Sequence, residues 1–219
     1  MIELIAAGGI EEFLFQIVDA LRYPVLLAAL IALLLTLFDL GAFFMELARR
    51  RSSFGSRAAL ESASAAASVA LQRGDIPAAA QALLPRATSG QMADALTQLV
   101  EQHGSPDASD RMAKILADFD LQSLRRLERT RMMVRFGPAL GLMGTLIPLS
   151  PALEGLAKGN VKLLSDNLRV AFSITVIGLL IGAIAFAVSL VRDRLYAQDL
   201  SDLEYVATTL EPEPVQAQG

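Results

Sequence analysis

The chain has 219 residues, 53% of them hydrophobic, with a mean hydropathy of +0.46 and a formal net charge of -4. That balance is too apolar for an ordinary water-soluble protein of this size and points to the membrane class. Cysteine is absent, which excludes disulfides, thiolate metal sites and cysteine nucleophiles, and the single histidine, His103, reads as a solvated residue of the polar run "EQHGSPDASD".

In residues 1–23, Ile10, Phe13, Leu14, Ile17, Val18 and Leu21 recur at helical spacing with Glu11, Glu12 and Asp19 between them. The stretch has no basic start and no long uninterrupted apolar core, so it is not read as a secretory signal. It predicts an amphipathic helix on the outer membrane surface, before Pro24 turns the chain inward.

Residues 24–45, "PVLLAALIALLLTLFDLGAFFM", are long enough to cross the hydrocarbon core, which takes about 20 residues, and form transmembrane helix 1. Asp39 is the one charge inside this span, and a carboxylate there is costly unless paired or wetted. It is therefore either a functional site or, as its off-centre position favours, a residue near the interface that is hydrated or paired with an arginine such as Arg49 or Arg135.

Residues 46–135 are alanine-rich, with helical periodicity broken at "RGDIP", "LPRATSG" and "QHGSPDAS". They predict a cytoplasmic domain of several short helices followed by a long one that runs on into transmembrane helix 2, residues 136–155. A short outer loop, 156–169, leads to transmembrane helix 3, residues 170–191, and the chain finishes as a cytoplasmic helix and acidic tail, 192–219. Span two is the least hydrophobic, so it is expected to be shielded from lipid by its neighbours.

Basic residues set the orientation. Arg49, Arg50, Arg51 and Arg57 follow span one, Arg125, Arg126, Arg129, Arg131 and Arg135 precede span two, and Arg192 and Arg194 follow span three. The other side offers only Arg22, Lys158, Lys162 and Arg169. The N-terminus is therefore expected outside, with the long middle segment and the C-terminus in the cytoplasm.

Two stripes of small residues stand out. In span two, Gly137, Gly141, Gly144, Pro148, Pro151 and Gly155 follow a 4, 3, 4, 3, 4 spacing, and in span three Ala171, Thr175, Gly178, Gly182, Ala185 and Ser189 repeat it. Each stripe lies along one side of its helix. Lipid supplies no hydrophobic drive for helices to associate, so close backbone approach along such stripes is a principal way to pack them. Thr145 adjoins the first stripe and Thr175 lies within the second. Either hydroxyl has a structural use, bonding a carbonyl one turn back, and together they can line a wet path.

The motifs "GLMGT" in span two and "AFSITVIGLLIGAIAF" in span three resemble those of the MotA/TolQ/ExbB ion-channel family, in which G-x-x-G-T and T-x-x-G-L runs mark the two pore-side helices. The similarity covers about residues 110–195, and the three-span plan looks like the TolQ/ExbB branch. It implies an all-α membrane protein assembled as a ring, typically a pentamer, around a single-span partner of the ExbD/TolR/MotB type whose membrane aspartate carries the proton. It implies that Thr145 and Thr175 line the pore and that Gly141, Gly144 and Gly178 pack beside them, with Gly137 and Gly182 on the same packing stripes. The sequence departs from TolQ and ExbB at Val170, where those proteins commonly carry a glutamate five residues before the span-three threonine.

No paired acids, nucleophile set, metal ligands or phosphate-binding loop appear, so neither an enzyme, a cofactor nor a nucleic-acid partner is expected. The leading expectation is a channel subunit in the inner membrane that couples proton or sodium flow to work by its partner. The alternative is an oligomeric scaffold without conduction that recruits partners through its cytoplasmic helices.

Overall fold

Runs of alanine and leucine punctuated by Gly, Pro, Asp and Asn produce seven α-helices and, among the described residues, no strand. They are α1 (Ile2–Ala20), α2 (Arg22–Ser53), α3 (Arg57–Gln72), α4 (Ile76–Leu83), α5 (Gly90–Glu101), α6 (Ala108–Ala157) and α7 (Val161–Leu210), with a short 3-10 turn at Leu84–Arg86. This computed structural model describes residues 2–53 and 57–211, excepting the side chains of 2–8, 11, 51–53 and 57. The acidic tail past residue 211, and the side chains of Glu3, Glu11, Arg51 and Arg57 counted in the charge pattern, lie outside the described residues.

Three helical stretches are long and apolar enough to cross a membrane: Glu12–Arg50, α6 and α7, with mean hydropathies of 2.5, 1.4 and 2.7 over their most apolar windows. The chain is therefore a multi-pass membrane protein, and its second span is the least apolar. Pro24 has a smaller effect than expected. Only Leu21 separates α1 from α2, and backbone bonds cross the gap from Leu21 N to Ile17 O and from Val25 N to Leu21 O. The proline removes one donor and leaves the bonds on either side in place.

Residues 156–169 are mostly helical, because α6 stops only three residues before α7 starts. Gly159 adopts φ +69°, a left-handed conformation that glycine enters without strain. Gly159 N bonds Leu156 O at 3.0 Å and Asn160 N bonds Gly155 O at 2.8 Å, the paired bonds of a Schellman helix end. Asn160 Oδ1 then accepts from Leu163 N at 3.0 Å, so the residue closing α6 also caps α7.

By contacts the chain divides into two units, Met1–Gly41 with Arg129–Ser189, and Ala42–Glu128 with Leu190–Gly219. The first, here the span unit, holds most of the apolar stretches. Within it Arg22 Nη2 donates to Asn167 Oδ1 at 3.1 Å, and the buried Thr36 hydroxyl donates to Ala32 O at 2.7 Å.

The second, here the core unit, has a core of large side chains contributed by α3, α4, α5, α6 and α7, with Leu83, Met92, Leu96, Leu99 and Met112 almost wholly buried. Each such side chain contributes about 1.5–3 kcal/mol on burial. Its short helices begin at side-chain caps: Asp75 accepts from Ala78 N to start α4, and Ser89 accepts from Met92 N to start α5. His103 is not simply solvated. Its Nδ1 lies 2.8 Å from Leu210 O, so it caps a carbonyl that the end of α7 leaves without an intrahelical donor.

Candidate functional site

Within the span unit, α6 and α7 lie antiparallel along the two small-residue stripes. A Cβ built on Gly178 would lie 2.5 Å from Gly137 O and 2.8 Å from Gly141 N, and one on Gly137 would lie 2.7 Å from Gly178 O. No carbon keeps such distances, so the two backbones touch only because these positions carry no side chain. The contacts pair residue 137 with 182, 141 with 178 and 144 with 174, which is one antiparallel register. Gly144 differs in kind, because its Cβ would meet the Ile174 side chain rather than backbone.

That register brings Thr145 level with residues 173 and 174, within one helical turn of Thr175. Both threonines are half-buried. Thr145 Oγ1 donates to Leu142 O at 2.7 Å, and Thr175 Oγ1 donates to Ala171 O at 3.2 Å. A hydroxyl has one proton to donate, so both oxygens are left with acceptor capacity alone.

The prolines of α6 reinforce this polarity. Pro138, Pro148 and Pro151 have no N–H, so the carbonyls of Val134, Gly144 and Ile147 do not receive their usual donor four residues on. Gly182 lies against the Val134 carbonyl, where its Cβ would be 3.4 Å from the oxygen. The Gly144 and Ile147 carbonyls flank Thr145 in sequence, so this level of the hairpin is rich in acceptors. In a low-dielectric setting it suits water, a hydrated proton or a small cation, and disfavours anions.

Val170 is apolar and half-buried, and it supplies no carboxylate near Thr175. Other acids of the span unit lie elsewhere. Glu12, Asp19, Glu154 and Ser150 line a cavity of about 380 Å³ formed by α1 and α6. Glu154 is exposed and ion-paired with Lys158, and Asp166 is exposed. Asp39, in α2, is half-buried and accepts a hydrogen bond from Thr130 Oγ1 at 3.0 Å, a partner the sequence does not reveal.

The core unit holds a buried charge network that is equally hidden in the sequence. Arg50 donates through both terminal nitrogens to Asp199, at 2.8 and 2.7 Å, with their side chains only 4% and 3% exposed. Thr88 Oγ1 also donates to Asp199, at 2.8 Å. Glu46 lies 3.2 Å from Arg50 and 3.4 Å from Arg192. Burial alone would lower the Arg50 pKa, but the Asp199 and Glu46 carboxylates outweigh it and hold it above the usual value. Burial pushes the Tyr196 phenol up, with Glu46 adding to the effect. The available signal was spacing: Glu46 and Arg50 share one face of α2, and Arg192, Tyr196 and Asp199 share one face of α7.

The family described as the MotA/TolQ/ExbB proton channel family matches residues 84–204, which takes in all of α5 and α6 and most of α7, including both threonines and both stripes. Among curated proteins, none matches the chain. Asp39 and the rest of α2 lie outside the matched stretch.

Proposed function

The chain belongs to the MotA/TolQ/ExbB proton channel family, a component of energy-transducing membrane complexes, and from that premise we propose that it forms the channel wall of a homopentameric ring in the inner membrane. In this reading the ring encloses a single-span partner of the ExbD/TolR/MotB type and passes protons past Thr145 and Thr175. The N-terminus lies outside, and residues 46–135 and the C-terminal helix lie in the cytoplasm. Exposed arginines at that end of the spans, including Arg49, Arg125, Arg126, Arg129, Arg131 and Arg194, support the orientation.

The observation that carries the reading is the pair of threonines within one turn of each other on a hairpin packed by glycine, both with their protons committed to backbone carbonyls. Oxygens held as acceptors favour a cationic traveller. The cavity lined by Glu12, Asp19 and Glu154 supports the same sign of charge at the outer end of α6. One charge crossing 100 mV releases about 2.3 kcal/mol, so a few protons supply a conformational step in the partner.

Val170 favours a second reading, a scaffold that assembles through its stripes and conducts nothing. Replacing Thr145 and Thr175 together by valine separates the two. Proton flux in vesicles holding the complex with its single-span partner is expected to be lost while the ring still assembles. Unchanged flux in the double variant would remove the threonines from the pathway.

A further inference from the structure

The span unit contains a second cavity of about 340 Å³, at the small end of the range for ligand pockets, lined by α2, α6 and α7. Its wall carries two opposite charges and two threonines among apolar side chains. Asp39 and Arg129 both line it, with the Thr130 hydroxyl beside them and Leu35, Phe38 and Val188 among its apolar members. A ligand matching this wall carries a cation and an anion close together and an apolar body.

The position of the cavity narrows the choice. Asp39 is about 22 Å along α2 from Pro24 at 1.5 Å per residue, in the last third of a hydrocarbon core about 30 Å thick. Thr130, next to Arg129 in the chain, bonds Asp39 at 3.0 Å, so Asp39 and Arg129 stand at one level. The cavity therefore lies in the last third of the core, toward the boundary between acyl chains and head groups, on the side where the basic residues gather. Phe38, 78% exposed, is the most exposed large apolar side chain among the described residues and stands at its rim.

We propose that this cavity binds the head group of one phosphatidylethanolamine molecule. The ammonium donates to Asp39, the phosphate accepts from Arg129, and the acyl chains run along Phe38 and Leu35. A carboxylate offers about four lone-pair positions, so the bond from Thr130 leaves room for an ammonium donor alongside other contacts. Phosphatidylcholine has a cation but no N–H to donate, and phosphatidylglycerol has no cation, so neither offers an ammonium donor to Asp39 together with a phosphate for Arg129. The proposal does not depend on proton conduction by the threonines.

Native mass spectrometry of the whole detergent-extracted complex, given an equimolar mixture of the three lipids, tests it. The expected result is retention of phosphatidylethanolamine about tenfold over each competitor. Asp39→Asn is expected to abolish the preference over phosphatidylcholine, and Arg129→Gln to weaken retention of phosphatidylethanolamine, with the ring mass unchanged in both. Equal retention of the three lipids by the unaltered complex overturns the proposal without recourse to any variant. So does a complex that retains none, and so does a preference that survives Asp39→Asn.

Discussion

The span unit and the core unit solve the same packing problem with opposite materials. The core unit buries Leu83, Met92, Leu96, Leu99 and Met112, and it accepts a buried Arg50–Asp199 pair joined by two hydrogen bonds. The span unit brings Gly137, Gly141 and Gly178 backbone to backbone and leaves Leu142, Leu146, Phe172 and Val176 exposed. In water, large apolar side chains are driven together. In lipid that drive is missing, and contact area comes from removing side chains at the seam. The same methyl group should therefore stabilise one unit and disrupt the other.

The largest break in this comparison is expected from Asp199→Ala. It leaves the Arg50 guanidinium buried with its main partner gone, a loss of about 3–5 kcal/mol that should appear as accelerated hydrogen exchange in α5 and the end of α7. Leu99→Ala removes core volume from the same unit at an expected cost of about 2–5 kcal/mol by chemical denaturation. Adding a methyl to the seam comes next. In Gly178→Ala the new carbon meets the backbone of Gly137 and Gly141, which has no rotamer to adopt, so a loss of about 1–3 kcal/mol and a lower melting temperature of the extracted ring are expected. In Gly144→Ala the new carbon would overlap Ile174 Cγ2 and lie 2.9 Å from Ile174 Cβ, which no rotamer of that buried β-branched side chain moves away, so a similar loss of about 1–3 kcal/mol is expected. Gly41→Ala has nothing within 4 Å of the added carbon and should be neutral or slightly stabilising through helix propensity. If Gly41→Ala and Gly178→Ala lower the melting temperature equally, backbone contact is not what holds the seam.

The spans and stripes are legible in the sequence because both are periodic: a run of about 20 apolar residues has one common use, and a 4, 3 spacing marks one helix face. Register is not periodic information. That Gly137 meets Gly178 and Gly182 depends on the tight Gly159–Asn160 turn, and a loop of the length expected for 156–169 would have left the offset open. The distant partners stay hidden for the same reason. Thr130 reaches Asp39 across 91 positions and Arg50 reaches Asp199 across 149, separations at which sequence spacing carries no geometry. Arg50 and Arg192 look like two more members of a basic cluster, yet both are buried against carboxylates and aromatic rings, with Arg50 5.9 Å from the Tyr196 ring and Arg192 5.8 Å from Phe43.

The central claim concerns oxygen atoms at the seam, and volume is the confounding variable. Valine matches threonine in shape without the hydroxyl, while serine keeps the hydroxyl and loses the methyl. Proton flux through the vesicle-reconstituted complex, measured for Thr145→Val, Thr145→Ser, Thr175→Val and Thr175→Ser, tests the claim most directly. The account predicts that both serine variants conduct and both valine variants do not; serine and valine variants that behave alike would contradict it.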